Sequence, residues 1–90
     1  MSKGRGYTVL IKRSAEKEMD RLPARTFARA VQAILKLERD PRPKGSKKLR
    51  GVQDYRLRVG EYRVLYSVDD QKRVVEVIAV GHRREVYRRY

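Results

Sequence analysis

A chain of 90 residues has the size of one domain and leaves no room for a second core. Its 24 lysines and arginines against 11 aspartates and glutamates give +13 at pH 7, a surplus that opposes compaction and attracts polyanions: nucleic acid, an acidic protein partner, or both. Cysteine is absent, which excludes disulfides and thiolate metal sites. The apolar run Val9-Leu10-Ile11 is too short for a signal peptide or a membrane span, so the expectation is a cytoplasmic protein with no membrane partner.

Along the chain, Tyr7–Lys12 is β-prone and is the first predicted strand. Ser14 suits an N-cap, and Ala15, Met19 and Leu22 recur at helical spacing until Pro23 stops the element. Pro23 also suits the first turn of a second helix, in which Phe27, Val31, Ile34 and Leu35 form one apolar stripe. Asp40-Pro41-Arg42-Pro43 ends that helix, and the two amphipathic segments make a helical hairpin. Residues 41–51 read as a basic loop carrying Arg42, Lys44, Lys47, Lys48 and Arg50 among prolines and glycines. Three β-prone segments follow, Tyr55–Val59, Tyr62–Val68 and Val74–Val80, joined by a type II′ turn at Gly60-Glu61 and a second turn at Asp69–Lys72. A short basic tail with two tyrosines closes the chain. The order β-α-α-β-β-β predicts one α+β domain over residues 1–90, with an N-terminal helical hairpin packed on one face of a small, mainly antiparallel sheet.

The Gly60-Glu61 turn fixes a register by counting. Val59 opposes Tyr62, Arg58 opposes Arg63, Leu57 opposes Val64, Arg56 opposes Leu65, and Tyr55 opposes Tyr66. Alternation then gives Tyr55, Leu57, Val59, Tyr62, Val64, Tyr66 and Val68 one face, the seat for the helices. Arg56, Arg58 and Arg63 take the other. Directly opposed like charges destabilise an antiparallel pair by some tenths of a kcal/mol, and local rule-breaking of this kind often marks function. Three guanidiniums on one sheet face make an anion platform able to fork onto phosphate oxygens. The plainer reading has them splayed into solvent, or one neutralised by Glu76 on the next strand. The tail leaves the sheet near this face if the last strand lies beside Tyr62–Val68. Aromatics among basic residues suit single-stranded nucleic acid, which makes Tyr87 the functional candidate and leaves Tyr90 to fray.

The residues limit the chemistry. A metal nuclease needs clustered carboxylates or imidazoles, whereas this sequence has one histidine, and Asp69-Asp70 are turn formers. No nucleotide-binding glycine loop and no Ser/His/Asp or Cys/His set is evident. What remains is cation-rich phosphate chemistry with no cofactor. Phosphodiester cleavage then uses the 2′-hydroxyl of RNA as nucleophile, and fixed guanidiniums stabilise the charge that develops on the phosphoryl oxygens. Arginine stays protonated, so Tyr87 and His82 are the candidates for proton transfer. A lone histidine is more often structural, which ranks Tyr87 first.

The stretch Lys48-Leu49-Arg50-Gly51, the run from Tyr55 to Tyr66 with its Gly60-Glu61-Tyr62-Arg63 core, and Val80-Gly81-His82-Arg83 followed by Tyr87 resemble the RelE/ParE toxin superfamily. The element order resembles it too, over nearly the whole chain. The resemblance implies a toxin of a type II toxin–antitoxin system, restrained by an acidic, partly disordered RelB-like antitoxin. In the RelE branch it implies a metal-independent endoribonuclease, an mRNA interferase, that cuts mRNA in the ribosomal A site. By position, the family's working residues correspond to Arg56, Arg58, Arg63, Arg83 and Tyr87. Lys44, Lys47, Lys48, Arg50, His82 and Arg84 are expected to hold the RNA. Arginines stand where well-known members have lysines, so a lysine proton donor has no match here. Two other readings remain: a ParE-like inhibitor of DNA gyrase, which generally lacks the basic-plus-tyrosine set, and a non-catalytic basic module that binds RNA or ribosomes.

Overall fold

Alternation along the strands sorts the sheet into two unlike faces, and the helices cover one of them. The computed structural model describes residues 6–49 and 54–89. In chain order it holds β1 (Thr8–Ile11), α1 (Arg13–Asp20), α2 (Ala24–Lys36), β2 (Ser46–Lys48), β3 (Asp54–Val59), β4 (Tyr62–Asp69), β5 (Val74–His82) and the single turn α3 (Val86–Arg89). The sheet runs β1-β5-β4-β3-β2, with β1 parallel to β5 and the other neighbours antiparallel. The β3–β4 register is the one counted from the turn, from Val59 opposite Tyr62 to Tyr55 opposite Tyr66. Gly60 takes φ +60 while Glu61 keeps a negative φ, as a type II′ turn requires.

On the covered face Tyr55, Leu57, Val59, Val64, Tyr66, Val68, Val75, Val77 and Val80 meet Ala15, Met19, Ala30, Ile34 and Leu37. The first helix lies over β5 and the second over β3. At roughly 1.5–3 kcal/mol for each large apolar side chain taken out of water, this layer is the main source of stability.

Three local expectations are corrected. Ser14 lies inside α1 rather than at its N-cap, which is Lys12 without a side-chain bond. The Lys12 N–H still donates to the Val77 carbonyl (3.0 Å), so pairing with the sheet, not a capping side chain, fixes where the helix begins. In α2 the buried stripe is Ala30 and Ile34, continued by Leu37, while Phe27 (39% exposed) and Leu35 (49%) face solvent. This helix lies over β3, next to the edge strand, with Val31 and Ala33 only partly buried beside Ala30 and Ile34. Finally, the basic loop is not all loop: Ser46–Lys48 pairs with Leu57–Tyr55 as an edge strand. Lysines on an edge strand discourage pairing with other chains, and a strand without apolar alternation carries no periodic signal.

A bulge in β5 decides which of its residues reach each face. Leu65 opposes Ala79 but Tyr66 opposes Val77, so Ile78 is the extra residue. The alternation inverts there. Val75, Val77 and Val80 all meet the helices, whereas Ala79 joins Leu65 on the opposite face. Val86 of α3 is fully buried against that pair and forms a second, smaller core.

Polar side chains tie the far end of the sheet together. The fully buried Tyr66 donates its hydroxyl to the Pro41 carbonyl (2.8 Å) and stacks on Tyr55. Arg42 donates to the Tyr55 hydroxyl and forks onto Asp70 (2.7 and 3.2 Å), which also accepts from the Tyr7 hydroxyl (2.6 Å). Burial pushes the Tyr66 phenol up to about 12, and the Arg42 and Tyr7 bonds hold the Asp70 carboxyl below its ordinary range.

Candidate functional site

The uncovered part of the sheet's second face holds a cleft of about 430 Å³ lined by Arg56, Arg63, Arg83, Arg84 and Tyr87. Each wall has a local cause. Arg56 and Arg63 stand at positions of β3 and β4 that alternation turns away from the helices. Arg63 is only 7% exposed, and its Nη1 donates to the carbonyls of Gly60 (3.2 Å) and Tyr62 (3.0 Å). Those two bonds commit one end of the guanidinium and leave the Nε and Nη2 donors for the cleft.

Arg83 is fixed by the same turn. Its backbone N–H donates to the Glu61 carbonyl (2.8 Å), and its Nε lies 2.8 Å from the Glu61 carboxylate. One tight turn therefore orients two of the cleft's guanidiniums, one through carbonyls and one through a carboxylate. Tyr87 is held differently: burial of Val86 anchors α3 on Leu65 and Ala79, and the next residue projects its ring into the cleft, 41% exposed. Converging guanidiniums beside a phenol bind an anion, stabilise further negative charge on it, and offer one group that exchanges a proton.

Not every expected residue lies here. Arg58 opposes Arg63 in the register, yet it lines an adjoining groove of about 320 Å³ with Lys47 and Arg56 rather than the cleft. Arg84, expected only to bind RNA, is a cleft wall. Lys47 shares the face of its partner Arg56, but Lys48 pairs with Tyr55 and so takes the helix face, a correction that follows from strand alternation. Lys44 is exposed before β2, outside the cleft, and Arg50 lies outside the described residues.

His82 is the largest correction. It pairs with Tyr62 and makes an edge-on ring contact with it (5.6 Å between centroids) on the helix side. There it lines a separate cleft beside Glu18 and Glu85, and its Nδ1 accepts from the Arg84 N–H (3.2 Å). Without the bulge at Ile78 it would have pointed to the arginine face. Glu61, missed from the sequence, is the carboxylate that reaches a cleft guanidinium; Glu76 instead sits opposite Ser67. The sequence carried no signal for this pair: counted without the bulge at Ile78, Glu61 falls opposite His82, and only the slipped register that pairs Tyr62 with His82 puts it opposite Arg83.

A helix-backed sheet with an arginine–tyrosine cleft on its open face defines a small α+β protein with positive charge concentrated at one site. Residues 9–87 match the family model described as the ParE toxin of type II toxin–antitoxin system, parDE. The chain belongs to the RelE/ParE superfamily and is a type II toxin of RelE kind. It is 36% identical over 87 residues to Toxin RelG of Mycobacterium tuberculosis, covering 92% of this chain and 98% of that protein. Toxin RelE of the same organism is 34% identical over 91 residues, covering 98% and 93%. Among solved structures, the RelBE2 toxin–antitoxin complex of M. tuberculosis superposes with TM-score 0.77 at 33% identity, over 87% of this chain and 99% of that one. The RelE–RelB complex of Pyrococcus horikoshii gives 0.79 at 30% identity, over 89% and 98%. No helix among the described residues is long and apolar enough to cross a membrane.

Proposed function

We propose that this toxin is a metal-independent endoribonuclease of the RelE branch, cutting mRNA in the ribosomal A site. The observation that carries the reading is the convergence of Arg56, Arg63, Arg83, Arg84 and Tyr87 on one cleft. The 2′-oxygen attacks the scissile phosphorus, the bond to the 5′-oxygen breaks, and the 2′ proton is removed as the 5′-oxygen gains one. The products are a 2′,3′-cyclic phosphate and a 5′-hydroxyl. Arg63 and Arg83, both held by the β3–β4 turn, receive the charge that grows on the phosphoryl oxygens. Loss of such a donor costs about 3 kcal/mol of transition-state stabilisation by analogy with oxyanion holes. Tyr87 exchanges the proton.

An acidic RelB-like antitoxin is the natural restraint in the cytoplasm. Solved relatives are RelE bound to RelB, and a +13 surface complements an acidic segment that folds on binding.

The test is to incubate purified protein with programmed ribosomes and map the 5′ ends of the mRNA, with Tyr87→Phe and Arg56→Ala beside it. Cuts in the A-site codon that disappear in both variants support the enzyme. The family description names the ParE branch, which favours gyrase inhibition as the second reading. Growth arrest with no cuts, together with loss of DNA supercoiling by gyrase, would establish that one instead.

A further inference from the structure

We propose that the cleft is one end of a basic track that rounds the open edge of β3 onto α2 and holds the phosphates of the RNA strand adjoining the cleaved nucleotide. The inference rests on the RNA-cleaving reading and extends it to a second set of residues.

Three depressions share walls. Arg56 belongs to both the catalytic cleft and the groove that holds Lys47 and Arg58. Arg58 belongs to that groove and to a further one, of about 360 Å³, lined by Arg29, Gln32 and Lys36 of α2. The topology explains how a residue on one sheet face joins a groove on the other. The edge strand β2 starts at Ser46, opposite Leu57, and the chain turns away just before it at Gly45, whose φ is +97. Arg58 and Val59 therefore pair with β4 but have no strand on their β2 side, and the two faces communicate around this rim.

The second helix is fitted to that rim. Small Ala28 and Ala33 keep its wall low. Arg29 reaches the β3–β4 turn, with Nη1 3.3 Å from where a Cβ on Gly60 would stand. Its guanidinium thus lies on the turn that orients Arg63 and Arg83. Arg29, Lys36, Lys47 and Arg58 are all exposed, and none is engaged by an ion pair among the described residues. Cations left unpaired along a continuous path repel one another, and a polyanion relieves that repulsion.

The character of the path selects the occupant. A protein segment needs large apolar anchors, but the groove offers only Ala28, Ala33 and the buried Val59, and the exposed apolar side chains of α2, Phe27 and Leu35, do not line it. A phosphodiester backbone needs successive cations, and arginine forks suit its oxygens.

The test uses 2′-O-methyl RNA, which binds without being cut, in lengths of three and twelve nucleotides, titrated over a range of salt. The wild-type protein should bind the longer strand more tightly and with a steeper salt dependence. In Arg29→Gln/Lys36→Gln the slope of log affinity against log salt for the longer strand should fall by about 1.4, at about 0.7 per single-strand phosphate contact. The slope for the three-nucleotide strand should stay put. Arg13→Gln/Lys17→Gln on α1 removes the same net charge and should leave both slopes unchanged. Equal effects of the two double variants, or an unchanged slope in the first, would overturn the track. So would a variant that loses affinity only for an acidic antitoxin segment, or only for ribosomes without mRNA. Failure here remains distinct from failure of the enzyme reading: short RNA bound and mRNA cut without any length dependence condemns the track alone.

Discussion

Glu61 and Tyr87 show how much can rest on single side chains. Glu61 is largely exposed and its ion pair with Arg83 is solvated, so Glu61→Gln should change stability by less than about 1 kcal/mol. Its effect should lie in catalysis. Removing a negative charge beside the cleft tightens RNA binding, while Arg83 loses its orientation, so KM and kcat should fall together; a rise in KM at constant kcat would contradict an orienting role. Arg63 differs because it is buried. Arg63→Ala should lose both activity and about 1–3 kcal/mol of stability, read from denaturant midpoints, since its bonds to the turn disappear with it. Arg63→Lys keeps the charge without the fork and should recover stability more than rate. Tyr87→Phe should cut cleavage by about 10²-fold or more at an unchanged melting temperature, because the ring is half in solvent and Val86 supplies the anchoring.

At the level of elements, pH separates the sheet's polar end from the cleft. Asp70 has a depressed folded pKa, so its contribution is present above the ordinary carboxylate value of about 3.9 and is lost as pH falls through the lower folded value. Asp70→Asn should flatten the acid limb of a stability–pH profile. Tyr66 behaves in the opposite sense. Its phenol stays neutral in the fold up to about 12 against about 10 in the unfolded chain, so stability should decline between those values. Tyr66→Phe removes that decline and costs about 1 kcal/mol at neutral pH, where the Pro41 carbonyl loses its donor. An alkaline limb unchanged in Tyr66→Phe would mean that another group governs it.

For the whole molecule the governing fact is +13 within a radius of gyration of 12.4 Å. Salt screens this self-repulsion and also weakens the hold on phosphates, so it should raise the melting temperature while lowering RNA affinity. About 1 kcal/mol of relief corresponds to about 4–8 °C for a domain of this size. Calorimetry and RNA titration over the same salt series check both signs, and a melting temperature that falls with added salt would show that attractive pairs outweigh repulsion.

Much of the fold was legible because it is encoded locally. Strand alternation, the helical spacing of Ala15 and Met19, and a glycine at the first position of a two-residue turn are short-range devices. They sufficed for the β3–β4 register and for the face that Arg56, Arg58 and Arg63 share. What tertiary structure decided involves contacts between distant segments. The bulge at Ile78 sends His82 to the helix side, β2 forms only because β3 offers an edge, and α3 exists because Leu65 and Ala79 leave a place for Val86. The Glu61–Arg83 pair and the rim at Arg58 arise in the same way. Periodicity states which way a side chain points from its own strand. It does not state where a strand slips by a residue or ends, and those two events decide which basic residues reach the cleft and which the rim.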